Sequence, residues 1–401
     1  MRGEPWPRPP LSPCPVIGHI SPMAEPSHLP EPDAAEGVPH PRLAERLFGH
    51  AQAQAEFVDA LRSGRMHHAW LITGPRGIGK ATLAWKLAAY LLSHPAGHVP
   101  GPSLFGEDDP SELLETDPDS PVRRRLAALS EPGLLLVRRG PNDKGDRLET
   151  QITVKVVRKL KDFFHLSATE GGRRVVIVDP ADELNPNAAN ALLKELEEPP
   201  KDAVFFILSH QPQRLLPTIR SRCRVLRLGP LDAPELAAAL EQAGIDPGED
   251  QAELAALSSG SAGEAARLLT LDGLKMWHSL MRLMSRAPGF DRQMAMALSE
   301  GFSGRDNEQK LDLFLSLLEL LLARLAKAGI APGQTGAGSQ AELDMLMRLS
   351  PDARAASGWA EAAYQLLARA RHGRSVNLDP ASLILDTLLK IDEAASALAL
   401  R

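Results

Sequence analysis

The chain has 401 residues, 43% of them hydrophobic, so it is long enough for two or three domains with sizeable cores. A net charge of −6 argues against a protein that binds nucleic acid through its overall charge, although a local basic face is still compatible with it. The only cysteines are Cys14 and Cys223, which excludes a cysteine-rich zinc site, and no apolar stretch reaches the roughly 18 residues of a membrane span. We therefore predict no zinc, no membrane contact and a cytoplasmic location.

The first segment, residues 1–40, is rich in proline and shows no apolar periodicity. This composition predicts a disordered leader. Helical spacing of apolar residues begins after Pro41, with Leu43, Leu47 and Phe57, and is interrupted at Gly49-His50.

An apolar run at 69–73, a glycine-rich stretch at 74–80 and a helical pattern at 82–92 follow one another. Strand, turn and helix in this order are typical of a phosphate-binding loop, in which backbone N–H groups surround an anion and a lysine reaches the outer phosphates. The nucleotide-binding candidates are Gly74, Pro75, Arg76, Gly77, Ile78, Gly79, Lys80, Ala81 and Thr82. A glycine turn that merely opens a helix is the alternative. Ala81 stands where the loop usually has the Ser or Thr that ligates Mg²⁺.

The stretch from His94 to Asp119 is an acidic loop. His94 and His98 in this loop could suggest a metal site. Because no cysteine lies nearby, we interpret the stretch as a solvated loop. A helix at 122–129 and a strand at 134–137 come next, and then a helix at 152–164 with an apolar and a basic face. The basic face, which could contact nucleic-acid phosphates or simply be solvated, carries Lys155, Arg158, Lys159 and Lys161.

Two apolar runs, at 174–178 and 204–208, are typical of strands buried on both faces. Asp179 ends the first run and Ser209 ends the second. An acid at the carboxyl end of such a strand is where a P-loop protein reaches Mg²⁺, a turn aspartate being the alternative. Between the runs, Asn185-Pro186 begins a helix, and a last strand over 224–228 follows Ser221-Arg222-Cys223.

Beyond Gly229 the strand signals stop and only helical patterns remain, with a loop at 329–338 and two helices predicted after it. The leucine-rich stretch 311–325 carries charges that exclude a membrane span, so we expect it in a bundle or an oligomer contact. The fold class is therefore α/β followed by all-α. We predict a P-loop core domain over 41–229, a small helical domain over 230–272 and a helical C-terminal domain over 273–401.

The glycine-rich loop, the strand before Asp179, the run NALLKELEEPP at 190–200 and Ser221-Arg222-Cys223 together resemble the AAA+ clamp-loader subunits of bacterial DNA polymerase III. The resemblance implies an αβα core with a five-stranded parallel sheet, a helical lid and a helical collar. It also implies a hetero-pentameric ring with delta and tau/gamma subunits that places a sliding clamp on primer-template DNA. In that family Ser209 would sense the γ-phosphate, and Arg222 would reach the ATP of a neighbouring subunit as a catalytic residue in trans.

Three positions depart from the family's hydrolysing members. Ala81 replaces the metal-binding hydroxyl, Pro180 replaces the glutamate that activates water, and Gly263 replaces the lid arginine that senses the γ-phosphate. Phosphoryl transfer depends on such groups. A chain that lacks them but keeps Arg222 is similar to the delta prime subunit, a non-catalytic part of a DNA-directed DNA polymerase holoenzyme. Asp179 would then be a vestigial metal-site acid, and ATP or ADP would bind weakly. An active motor-type AAA+ ATPase and a P-loop enzyme such as a small-molecule kinase are the alternatives.

Overall fold

The computed structural model describes residues 31–34, 38–95, 98, 110–142, 144–165, 172–304, 307–336 and 338–399. Five parallel strands form one sheet in the order β2-β3-β4-β1-β5. The strands are β1 (Ala69–Thr73), β2 (Leu134–Val137), β3 (Arg174–Val178), β4 (Ala203–Ser209) and β5 (Arg224–Arg227). The predicted parallel sheet is therefore confirmed.

Helices cover both faces of this sheet. Those described over this part of the chain are α1 (Ala51–Arg62), α2 (Lys80–Ser93), α3 (Pro110–Leu113), α4 (Pro121–Ala127), α5 (Val154–His165), α6 (Pro186–Glu197) and α7 (Pro217–Arg220). Alternate residues of β1 enter different cores: Trp70 and Ile72 join the core of α1 and α2, whereas Ala69 and Leu71 join the core of α5 and α6. The result is a three-layered αβα core in which the central strands β1, β3 and β4 are buried on both faces, whereas the edge strand β5 is largely exposed.

The register of the sheet brings the strand ends to one edge. Thr73 at the end of β1 pairs with Ser209 at the end of β4, and Val178 pairs with Ile207. The loops after β1, β3 and β4 therefore meet at the carboxyl edge, where parallel α/β sheets bind ligands.

The rest of the chain is helical. Its described helices are α8 (Ala233–Gln242), α9 (Gln251–Ser258), α10 (Ala262–Thr270), α11 (Gly273–Met284), α12 (Arg292–Glu300), α13 (Glu308–Ala328), α14 (Gln340–Leu349), α15 (Ala353–Ser375) and α16 (Pro380–Ala399). One hydrophobic core extends through them from Leu231 to Ala395. No separate core marks the predicted boundary at residue 272 among the described residues, so the division into lid and collar stays a prediction.

Three local predictions are wrong. Residues 31–34 and 38–40, predicted as disordered leader, contact the folded core, whereas residues 1–30 lie outside the described part. The helical spacing at Leu43 and Leu47 corresponds to a short 3-10 turn, Pro41–Leu43, and α1 begins only at Ala51. Three helices follow residue 338 instead of two, because the chain breaks at Pro351 and Asp352 starts α15 by accepting a hydrogen bond from the backbone N–H of Ala355. In the described part of the chain, none of the helices combines the length and the apolar character that crossing a bilayer requires.

Candidate functional site

The glycine-rich loop joins the end of β1 to the start of α2. Gly74, Gly77 and Gly79 have φ angles of 149°, 74° and 100°. At Gly74 a side chain would also collide, because its Cβ would lie 2.5 Å from the carbonyl oxygen of Leu228. The predicted strand, turn and helix are all present, and binding of a nucleotide by this loop stays a prediction.

Lys80 points back into its own loop. Its side chain is buried, and Nζ donates hydrogen bonds to the carbonyl oxygens of Gly74 (2.9 Å) and Pro75 (2.5 Å). Burial lowers the pKa of Lys80 to about 8, although the charge of Asp179 opposes this shift. The carbonyl groups of the loop thus accept the hydrogen bonds of the Lys80 ammonium group, which in a phosphate-binding loop would contact the outer phosphates.

The first turn of α10 packs directly on the loop. Ser261, the N-cap of α10, donates from Oγ to the carbonyl oxygen of Arg76 (2.8 Å), and the backbone N–H of Gly263 donates to the carbonyl oxygen of Gly77 (3.0 Å). A Cβ on Gly77 would lie 2.5 Å from Oγ of Ser261. This contact joins the predicted lid to the predicted phosphate cradle through hydrogen bonds to the loop's backbone.

Gly263 is the position where the family resemblance expects the lid arginine. A Cβ there would lie 3.0 Å from Cα of Gly77. An arginine side chain at this position would therefore require the lid helix and the loop to move apart. The glycine at position 263 therefore permits the close contact between α10 and the loop.

Asp179 lies at the end of β3, beside the loop. Burial raises its pKa to about 7, and the nearby carboxylate of Asp33 acts in the same direction, while Lys80 opposes it. The next residue, Pro180, is buried and offers no group that could accept a proton from water. The strand end thus retains one acid and lacks the second.

Ser209 does not point at the cradle as a free hydroxyl. Its Oγ donates to Asp182 (2.8 Å), which also accepts from the backbone N–H groups of His210 (2.6 Å) and Gln211 (3.1 Å). The sequence does not identify Asp182 as a partner of Ser209, because nothing in its spacing predicts a contact with a residue 27 positions away. Asp182 holds the end of β4 in place and occupies the hydroxyl that was expected to sense a phosphate.

A cleft of about 1250 Å³ opens between the loop, the leader, the lid and α13. Its lining includes Arg76, Lys80, Thr82 and Asp179, and Ala81 presents only a methyl group where a metal ligand was expected. The volume exceeds that of most small-molecule sites. The residues present are suited to a phosphate but lack the hydroxyl and the second acid that Mg²⁺-dependent hydrolysis uses.

The leader forms one wall of this cleft. Glu31 pairs with Arg42 (2.8 Å) and Arg138 (3.1 Å), and Asp33 pairs with Arg138 and with His40 (3.3 Å). The hydrogen bond from Arg42 lowers the pKa of Glu31 to about 2. Glu31, Asp33 and His40 place three ligand atoms within 4.8 Å of one another, but the two arginines already bind these carboxylates, so we interpret the cluster as an ion-pair network.

Arg222 lies elsewhere, on the turn between α7 and β5, and is not among the residues that line the cleft. Its Nη1 donates to the carbonyl oxygen of Thr218 (3.0 Å), and its Nη2 lies 2.9 Å from Oε1 of Glu197 at the end of α6. The side chain is 37% exposed. It is therefore accessible to another molecule and held at two of its nitrogen atoms.

The predicted basic face lies on α5. Its four cationic residues are exposed, while Val157, Leu160 and Phe163 on the other face are buried. The predicted amphipathic helix is confirmed, and a contact with phosphates stays a prediction.

The parallel sheet and the strand, glycine-rich turn and helix at its carboxyl edge together give the chain the αβα architecture of P-loop proteins. Residues 49–232 match a family model described as DNA polymerase III, delta subunit. The chain is 42% identical over 206 residues to DNA polymerase III subunit delta' of Pseudomonas aeruginosa, a match that covers 50% of this chain and only 55% of that protein. It is 31% identical over 264 residues to the Yersinia pestis subunit of the same name, covering 64% of this chain and 70% of that protein. DNA polymerase III subunit tau of Escherichia coli is 30% identical over 201 residues, covering 50% of this chain and 28% of that protein.

The chain belongs to the family of delta prime subunits of DNA polymerase III.

Proposed function

We propose that this chain is the delta prime-type subunit of a bacterial clamp loader, that it does not hydrolyse ATP itself, and that it supplies Arg222 to the ATP site of a neighbouring subunit. Its partners are the delta and tau/gamma-type subunits of a hetero-pentameric ring, and through the ring the sliding clamp and primer-template DNA, in the cytoplasm. The observation that carries the proposal is the seating of α10 on the phosphate-binding loop, through Ser261 and Gly263.

At the position where hydrolysing members have an arginine that contacts the γ-phosphate, this chain has Gly263, which packs on the loop backbone instead. Hydrolysis needs a metal ligand, a group that orients water and cations at the developing charge, each placed to within a fraction of an ångström. Here the lid reaches the loop backbone directly, Lys80 binds loop carbonyls and Asp182 holds the hydroxyl of Ser209. ATP or ADP, if bound, would be held weakly by what remains of the cradle, and zinc has no part in the proposed site.

Arg222 supports the second half of the proposal. A guanidinium that lies at the surface, away from the cleft of its own chain, is available to a phosphate presented by another subunit. An arginine supplied in trans contributes three to five orders of magnitude to phosphoryl transfer in well-studied cases.

Arg222→Ala in the assembled complex tests this role. We expect assembly to be intact and the ATP turnover of the complex, stimulated by DNA and clamp, to fall at least about tenfold, since one site loses its transition-state cation. Arg227→Ala, an exposed arginine on β5, is the matched control and should behave as the wild type. Unchanged turnover with Arg222→Ala would overturn the assignment.

A further inference from the structure

We propose that Glu197 is a positioning residue for Arg222: it fixes the orientation in which the arginine meets the neighbouring subunit's phosphate. The inference rests on the proposed function of Arg222. Glu197 lies within the run that supports the family resemblance, yet the sequence alone gives its carboxylate no task.

The geometry holds the guanidinium at two different nitrogen atoms. Nη2 pairs with Oε1 of Glu197 at 2.9 Å, and Nη1 donates to the carbonyl oxygen of Thr218 at 3.0 Å. A guanidinium has five N–H donors, so these two contacts leave donors free for a phosphate. Two anchors on separate nitrogens define the plane of the group, whereas one anchor would leave it free to rotate.

Stability of the fold does not account for Glu197. It is the last residue of α6, where the helix dipole disfavours an acid, and Glu198 follows it directly. Both partners of the ion pair are substantially exposed, 37% for Arg222 and 44% for Glu197, and ion pairs of this kind contribute little to stability. The contact therefore serves the orientation of the arginine better than it serves the folding of the subunit.

Orientation has a direct value for a residue that acts in trans. A long arginine side chain loses considerable rotamer freedom when it is fixed. If Glu197 and Thr218 fix it before the subunits meet, this cost does not fall on the transition state, and the group arrives with its remaining donors aligned. Loss of Glu197 should then lower the rate of the chemical step and leave ATP binding by the neighbour unchanged.

The test is steady-state ATP hydrolysis by the reconstituted complex carrying Glu197→Ala, with Glu198→Ala as the matched control and Arg222→Ala and the double variant completing a cycle. We expect Glu197→Ala to lower kcat about five- to twentyfold with KM for ATP within twofold of the wild type, and Glu198→Ala to have no effect. In the Arg222→Ala background, Glu197→Ala should cause no further loss.

Three results would overturn the inference. Glu197→Ala could leave kcat unchanged or raise it, which would mean that the carboxylate does not orient the arginine or competes with the phosphate. It could lower kcat by the same factor with and without Arg222, which would place its effect elsewhere. If Arg222→Ala itself is as active as the wild type, the proposed function fails first, and this arm of the cycle identifies that failure independently of Glu197.

Discussion

At the scale of single residues, several polar groups of the candidate site have partners within the chain. Lys80 donates to loop carbonyls, Ser209 donates to Asp182, and Asp33 pairs with Arg138 beside Asp179. The site is thus stabilised by its own side chains.

Asp179 gives this arrangement a dependence on pH. Its pKa is raised from 3.8 to about 7, so the folded state binds a proton that the unfolded chain has already released between these values. Stability should therefore be highest at low pH in this window and be lost as the pH rises towards 7. Asp179→Asn removes the effect, so its advantage over the wild type should grow from near zero at pH 4 to a few kcal/mol, at most about 4, at pH 8.

Urea unfolding of the two proteins at both pH values measures this difference. Asp162→Asn, which changes an exposed acid on α5, is the control and should show no such trend. A constant difference between Asp179→Asn and the wild type across the pH range would contradict the buried, protonated aspartic acid.

Some of these residues could be predicted from the sequence and others could not. Ala81, Pro180 and Gly263 are visible as departures because each stands at a fixed place in a short motif. Asp182, Glu197 and Glu31 are not visible in this way, since their partners are distant in sequence and are brought near only by the sheet and the leader. The sequence thus shows which residue stands at a motif position, whereas contacts between residues that are distant in sequence are visible only in the fold.

At the scale of elements, the lid is fastened at both of its ends. The N-terminus of α10 is hydrogen-bonded to the loop of the sheet domain through Ser261. On the far side, Arg324 of α13 pairs with Glu342 of α14 and donates to the carbonyl oxygen of Ala256 in α9 (3.0 Å). These contacts fix the predicted lid to the loop on one side and to α13 on the other.

The Arg324–Glu342 pair joins α13 to α14 in the interior of the helical part. Its side chains are 3% and 4% exposed, and Arg324 also lies over the ring of Trp277. Removing one partner leaves an uncompensated buried charge, so Glu342→Ala should cost about 3–5 kcal/mol of unfolding free energy.

Denaturant unfolding followed by circular dichroism tests this value. Glu319→Ala, which removes one partner of the exposed pair with Arg371, is the matched control and should cost less than about 1 kcal/mol. Equal effects of the two substitutions would contradict the larger cost that burial assigns to the Arg324–Glu342 pair.

The elements themselves follow the sequence closely where a strong local signal exists. Asn185 caps α6 by accepting from the backbone N–H of Ala188 (2.8 Å), as its position before Pro186 predicts. The break between α14 and α15 was missed because the helical apolar spacing on either side hides a single Pro351-Asp352 step. Residues 31–34 were mispredicted because they are held by ion pairs of Glu31 and Asp33 with Arg42 and Arg138, which apolar periodicity does not reveal.

At the scale of the whole molecule, a part built on a five-stranded parallel sheet is followed by a helical part that has one continuous hydrophobic core. The alternation of strands and helices predicted a parallel sheet, and the family resemblance implied five strands, but the strand order is a property of the assembled fold and was not predicted. The division of the helical part into lid and collar remains a prediction, because α8 to α16 share their apolar contacts. The molecule thus combines a site whose polar groups pair within the chain with an exposed arginine on another surface.

The measurement that tests this account most directly is ATP hydrolysis stimulated by DNA and clamp, for the chain alone and for the chain mixed with its motor-type partners. We predict that the isolated chain is inert and that adding it completes an active complex. Hydrolysis by the isolated chain at the rate of a clamp loader would contradict the account, since it would show that the loop, Asp179 and the lid form a working ATPase site despite Ala81, Pro180 and Gly263.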